Sequence, residues 1–160
     1  MQSEVNLKKA IDLHADMVRK ICFVHCKCES DVDDIFQEVF IKYYNSSINF
    51  NDEQHEKAWI IRVTINACHD LFRGWFKQKA ILMDDFSNFS IDTNKDDGRI
   101  WEYVRKLKPD FRDVIYLYYY EGYTMIQISK ILKVNENTIS TRLRRSKQKL
   151  KDMIGGDFFE

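Results

Sequence analysis

The sequence predicts an all-α protein made of two small helical domains joined by a flexible linker. Three observations carry this. The 160 residues include only one proline and five glycines, so long stretches run without a chain breaker. Apolar side chains recur at helical spacing on both sides of the chain's midpoint. Between these zones lies a stretch rich in aspartate with no sustained period. Apolar residues make up 44% of the chain, enough for a packed core, and charged residues make up 31%, enough for a soluble surface.

Residues 1–79 form the first expected domain, a series of amphipathic helices beginning near Leu7. In "DDIFQEVFIKYY", Ile35, Phe36, Val39, Phe40 and Tyr43 fall at helical spacing, with Asp33, Asp34, Gln37, Glu38 and Lys42 elsewhere on the surface. In "EKAWIIRVTINACHDLFRGWF", Trp59, Ile60, Val63, Ala67 and Leu71 play the apolar part. The polar turn between them, "NSSINFNDEQHE", is rich in residues that cap helices. "CFVHCKC" gathers Cys22, His25, Cys26 and Cys28, while Cys68 stands apart. Such spacing is compatible with zinc, but no second Cys-x-x-Cys or His pair completes a four-ligand set. Cys22 and Cys26 lie one helical turn apart in register with Val18, so the expectation is packing and no metal.

Residues 80–97, "AILMDDFSNFSIDTNKDD", contain five aspartates and read as an acidic linker. Residues 98–160 form the second expected domain. "RIWEYVRKL" is helical, and Pro109 sits where a helix can start. "DFRDVIYLYYYEGY" stops near Gly122, a natural C-cap. Thr124 and Gln127 have capping-box spacing and open a helix whose apolar face is Ile126, Ile128, Ile131 and Leu132. Asn135 is a good N-cap for the last helix, where Ile139, Leu143 and Leu150 are spaced to face the core.

Two helices joined by about three residues, the second basic and hydroxyl-rich, form the helix-turn-helix pattern. The chain has 25 basic and 25 acidic residues and no formal net charge, yet Tyr123–Ile154 holds eight basic residues against two acids. That concentration suits phosphate neutralisation with counterion release. Thr138, Ser140, Thr141, Arg142, Arg144, Arg145 and Lys149 are the candidate duplex-contacting residues, since arginine can grip guanine with two hydrogen bonds and hydroxyls offer short donors and acceptors.

Taken together, these segments resemble the sigma-70 family of RNA polymerase sigma factors, in the extracytoplasmic-function group. "DVDDIFQEVFIKYY" resembles the region 2 helix that grips the polymerase clamp. "AWIIRVTINACHDLFR" resembles the promoter helix that follows. "KPDFRDVIYLYYYEGYTMIQISKILKVNENTISTRLRRSKQKLK" resembles region 4 almost end to end. The three occur in the family's order and cover about Leu7 to Ile154.

The resemblance implies that Asp33, Asp34, Gln37 and Glu38 face core RNA polymerase. It implies that Arg62 and Asn66 meet the −10 element, and that Asn51, Gln54 and His55 lie in the loop that captures a flipped base. That loop also carries Asp52, Glu53 and Glu56, which are unfavourable beside phosphates. The last helix would read the −35 element. The implied partners are core RNA polymerase, promoter DNA and an anti-sigma factor, often membrane-anchored in this group. No small-molecule substrate, cofactor or metal is expected, and no chemistry of the chain's own: it contains no Walker loop, His-Glu-x-x-His or Gly-x-Ser-x-Gly. No apolar run is long enough to cross a bilayer and the first twenty residues lack a signal-peptide core, so a bacterial cytoplasmic location is expected. The alternative reading is a stand-alone dimeric helix-turn-helix regulator.

Overall fold

A computed structural model describes residues 1–78 and 99–155. These fall into two compact units, one on each side of the segment between them. The expected linker, residues 80–97, lies outside the described residues. Every regular element among the described residues is helical.

The first unit is a bundle of three mutually packed helices, α1 (Glu4–His25), α2 (Glu29–Asn45) and α3 (Glu53–Gln78). Ser3 caps α1, its hydroxyl accepting from the Asn6 amide at 3.0 Å. The buried stripe of α1 is Ala10, His14, Met17, Val18, Ile21 and Cys22, spaced to keep one face inward. On α2, Val32, Ile35, Val39, Phe40 and Tyr43 are buried. Phe36 departs from the expected apolar stripe: it is half-buried, and the Arg19 guanidinium lies 4.5 Å from its ring centre.

The buried face of α3 is rotated from the one the sequence suggests. Ile60, Ile61, Thr64, Ile65, Ala67 and Cys68 are buried, whereas Trp59, Val63 and Leu71 are only half-buried. Thr64 escapes notice as a core residue because it is polar. Its hydroxyl donates to the Ile60 carbonyl at 2.7 Å, which removes the cost of burying it.

One polar node ties the three helices together. Glu56, in the first turn of α3, sits 3.1 Å from His14 Nε2 of α1 and accepts from the Tyr43 hydroxyl of α2 at 3.2 Å. Burial, and then the neighbouring Glu56 carboxylate, push the Tyr43 hydroxyl up to about 12. The N-terminal segment closes the end of the bundle. The Gln2 amide donates to the Tyr44 carbonyl at 2.8 Å, and its side chain donates to the Ile48 carbonyl at 2.8 Å.

The second unit holds α4 (Arg99–Val104), α5 (Pro109–Ile115), α6 (Met125–Leu132) and α7 (Glu136–Ile154). Pro109 opens α5 as expected. At its end α5 widens into a π-helical stretch, Tyr116–Tyr120, before Gly122 turns the chain with φ of 79°. Tyr116 and Tyr120 stack on each other, and both lie against the buried Trp101 of α4. The long α7 packs on α4, α5 and α6. Its Ile139 and Leu150 are fully buried, each contributing about 1.5–3 kcal/mol.

Candidate nucleic-acid interface

The α6–α7 pair is built by local signals. Thr124 and Gln127 form the reciprocal capping box: the Gln127 amide donates to the Thr124 hydroxyl at 3.1 Å, and the Thr124 amide donates to the Gln127 side chain at 2.9 Å. Lys133 ends α6 in the left-handed conformation with φ of 55°. Asn135 then caps α7, its side chain accepting from the Asn137 amide at 2.7 Å. Ile128 and Ile131 hold α6 to the core. Ile126 does not join them. It is 52% exposed, because it sits in the first turn on the side of α6 away from that face.

With Ile139, Leu143, Ser146 and Leu150 buried, the orientation of α7 is fixed. Ser146 is the polar member of this stripe, and its hydroxyl donates to the Arg142 carbonyl at 2.6 Å. The remaining side chains divide into three strips by helical phase. Thr138, Arg142, Arg145 and Lys149 form one flank. Ser140, Arg144, Lys147 and Lys151 form the other. Between them runs an outer strip of Asn137, Thr141 and Gln148, which carries no charge until it ends at Asp152, where the carboxylate accepts from the Gln148 side-chain amide at 2.9 Å. A hollow lies beside each flank. One is lined by Lys108, Phe111, Thr138, Thr141, Arg142 and Arg145. The other is lined by Met125, Ser140, Arg144, Lys147 and Lys151.

The seven residues predicted on this helix all lie outside its buried stripe, but they differ in freedom. Arg144 and Arg145 are exposed and form no ion pair among the described residues. Arg142 is half-buried with a guanidinium nitrogen 3.6 Å from the Asp110 carboxylate. Lys149 is exposed, its Nζ 5.5 Å from the Phe111 ring centre. Asn137, Lys147 and Lys151, which are not among the predicted contacts, share the flanks and outer strip with those seven.

In the first unit, Asp33, Asp34, Gln37 and Glu38 are all exposed along α2. Asp33 lies 3.4 Å from Arg19, and Glu38 lies 3.6 Å from Lys42. Such exposed pairs contribute at most about 1 kcal/mol and leave the carboxylates available. On α3, Asn66 is exposed and Arg62 half-buried, one turn apart.

The loop before α3 is more ordered by hydrogen bonds than its composition suggests. The His55 amide donates to Asp52 Oδ1 at 2.8 Å, and the Asn51 amide donates to His55 Nδ1 at 3.0 Å. Asp52 thus caps α3, and the His55 ring ties down the residue before the cap, a variant of the capping box in which the second bond reaches one residue further back. A neutral His55 therefore carries its proton on Nε2, as an outward donor. Phe50 stacks parallel on Tyr43 at 5.8 Å and meets Trp59 edge-on at 5.7 Å. Gln54 is exposed. Of the three acids near this loop, Glu56 turns inward to the polar node, and Asp52 is engaged in the cap.

Comparison with known proteins decides the family. Residues 10–75 match the model for Sigma-70 region 2, and residues 97–150 match the model for Sigma-70, region 4. This chain belongs to the sigma-70 family. Its relatives place this sigma-70 member in the extracytoplasmic-function group. It is 28% identical over 151 residues to the ECF RNA polymerase sigma factor SigE of Mycolicibacterium smegmatis, a match covering 88% of the chain and 58% of that relative. It is 26% identical over 134 residues to the RNA polymerase sigma factor SigZ of Bacillus subtilis, covering 80% of the chain and 75% of SigZ. Two solved structures share its fold. The sigma factor RpoE in complex with the anti-sigma factor NepR from Bartonella quintana matches with a TM-score of 0.78 at 16% identity, over 95% of this chain and 98% of that one. CnrH in complex with the cytosolic domain of CnrY matches with a TM-score of 0.71 at 18% identity, over 97% and 91%.

Proposed function

We propose that this chain is an alternative sigma factor that binds core RNA polymerase, recognises −35 and −10 promoter elements and supports promoter opening. The observation that carries this reading is the paired exposure of opposite charge on the two units. The clamp-type helix α2 presents Asp33, Asp34, Gln37 and Glu38, while α7 presents basic flanks behind a capped helix pair. Residues 1–79 serve as region 2, residues 98–160 as region 4, and residues 80–97 connect them. The −10 element is met by Arg62 and Asn66, with Asn51, Gln54 and His55 around the extruded base. The −35 element is met by Thr138, Ser140, Thr141, Arg142, Arg144, Arg145 and Lys149.

The reading assigns no catalytic step to the chain, which acts by binding and positioning. An anti-sigma factor is its regulatory partner: both solved relatives described above were captured with one or with a cytosolic partner domain. Location in the bacterial cytoplasm follows from these partners. No described helix is long and apolar enough to cross a membrane.

Co-purification tests the reading against a dimeric regulator. The full chain should bring down core polymerase subunits and support run-off transcription with purified core. Gln37→Ala combined with Glu38→Lys should weaken core binding about thirtyfold, the size of one hot-spot loss of about 2 kcal/mol. A chain that dimerises, binds DNA alone and ignores core polymerase would overturn it.

A further inference from the structure

A cluster that the proposed function leaves unused lies in the core of the first unit. Cys22 on α1, Cys26 at its C-terminal cap and Cys68 on α3 bring their Sγ atoms within 4.8 Å of one another. All three are at most 1% exposed. A single buried cysteine is ordinary packing, since the thiol behaves as a small apolar group. Packing alone gives no reason for three to converge, because alanine or valine would fill the same space. The chain has four cysteines, and three meet at one point although Cys68 is 42 positions beyond Cys26. The fourth, Cys28, lies apart with its sulfur 3.3 Å from the Ser30 hydroxyl.

We propose that Cys22, Cys26 and Cys68 form a three-thiolate site for a thiophilic metal ion that joins α1 to α3. Sulfurs bound to one ion at about 2.3 Å stand roughly 3.8 Å apart, so the observed cluster needs to contract by about 1 Å at most. Side-chain rotation supplies that much. Three sulfur donors and no oxygen select a soft ion such as Cu(I) or Zn(II) and reject Mg(II) and Ca(II). Three-coordinate Cu(I) is complete with these donors, whereas zinc takes a fourth. The thiols release their protons on binding, so uptake strengthens as pH rises. The site stands independently of the function proposed above. Its position gives it a consequence for that function all the same, because Cys68 is two residues beyond Asn66 on the same helix.

The test uses the full chain, reduced and stripped of metal. Cu(I) is titrated against a chromophoric chelator in one arm, and Zn(II), with Co(II) as its spectroscopic substitute, in another. One ion per chain in either arm supports the site and identifies the ion, and cobalt bound there should show sulfur-to-metal charge transfer. Cys68→Ala should lower affinity by more than the about ten- to hundredfold that loss of an outer-shell partner costs. Cys28→Ser should change nothing. X-ray absorption of the loaded wild type counts sulfur neighbours directly, so a variant that fails to fold does not blunt the test. Three sulfurs per ion support the proposal. Fewer than three, no stoichiometric binding in either arm, or equal affinity in Cys68→Ala overturns it.

Discussion

Replacing Glu56 with alanine should destabilise the first unit and leave the second untouched. The substitution removes one carboxylate and orphans two buried partners, His14 at 2% exposure and Tyr43 at 1%. Each buried polar group left without a partner costs about 1–3 kcal/mol. Glu56 itself retains 18% side-chain exposure, so water reaches part of the vacated space and the loss falls in the lower range, about 2–4 kcal/mol. At a factor of ten per 1.4 kcal/mol, core amides of α1–α3 should lose about thirty- to thousandfold of their protection from hydrogen exchange. Exchange read by mass spectrometry assigns the loss to helices, so α5–α7 serve as the internal control. Glu56→Gln should cost less, because the amide still accepts from Tyr43 and offers a donor to His14. Glu53→Ala, at an exposed position one turn-edge away, should cost little. If Glu56→Ala exchanges like wild type, or if Glu53→Ala loses as much, the node does not hold the three helices and the reasoning fails.

Three further outcomes are expected. With core-bound full chain on a promoter library, Arg145→Ala should cost about 1–3 kcal/mol and relax one base position, while Lys149→Ala should weaken all sequences alike and lower the salt slope by about one ion. Equal, sequence-independent losses would reduce α7 to an electrostatic clamp. Asn66→Ala should reduce permanganate-reactive melted bases more than it reduces core binding, and a normal footprint with normal transcription would remove Asn66 from the −10 contacts. Because the folded state holds the Tyr43 proton more tightly than the unfolded chain does, its stabilising share is complete below pH about 10 and lost as pH climbs towards about 12. Absorbance at alkaline pH should show late-titrating tyrosine that Tyr43→Phe reduces by one residue; an unchanged titration in that variant would contradict the assignment.

What was legible in the sequence was what short-range chemistry determines. Thr124 and Gln127 stand three residues apart, so their capping box needs no knowledge of the rest of the fold. Ile139, Leu143 and Leu150 mark the inner face of α7 because no competing apolar stripe exists there. On α3, by contrast, apolar residues are so dense that periodicity cannot choose between Trp59–Val63 and Ile60–Ile61–Thr64, and the choice is made by what α1 and α2 present. The same limit applies to charge. Glu56 looked like an acid in a DNA-facing loop, yet His14, 42 positions earlier, draws it inward. Arg142 looked as available as Arg145 until Asp110 was placed beside it. Cys68 looked solitary for the same reason: its neighbours are remote in the chain.

The three strips of α7 have a mechanical consequence. A helix lying in a groove between two phosphate ridges can roll about its own axis, and each degree of roll changes which side chains meet the groove floor. Here Arg145 and Lys149 rise on one side of a strip free of charge from Asn137 to Gln148, and Arg144, Lys147 and Lys151 rise on the other. Rolling either way lifts one set of cations from its ridge and presses the opposite set past its own, so the attraction acts as a restoring torque centred on Asn137, Thr141 and Gln148. Neutralising a single flank would then tilt the helix as well as weaken its hold, exchanging one set of groove-facing side chains for another.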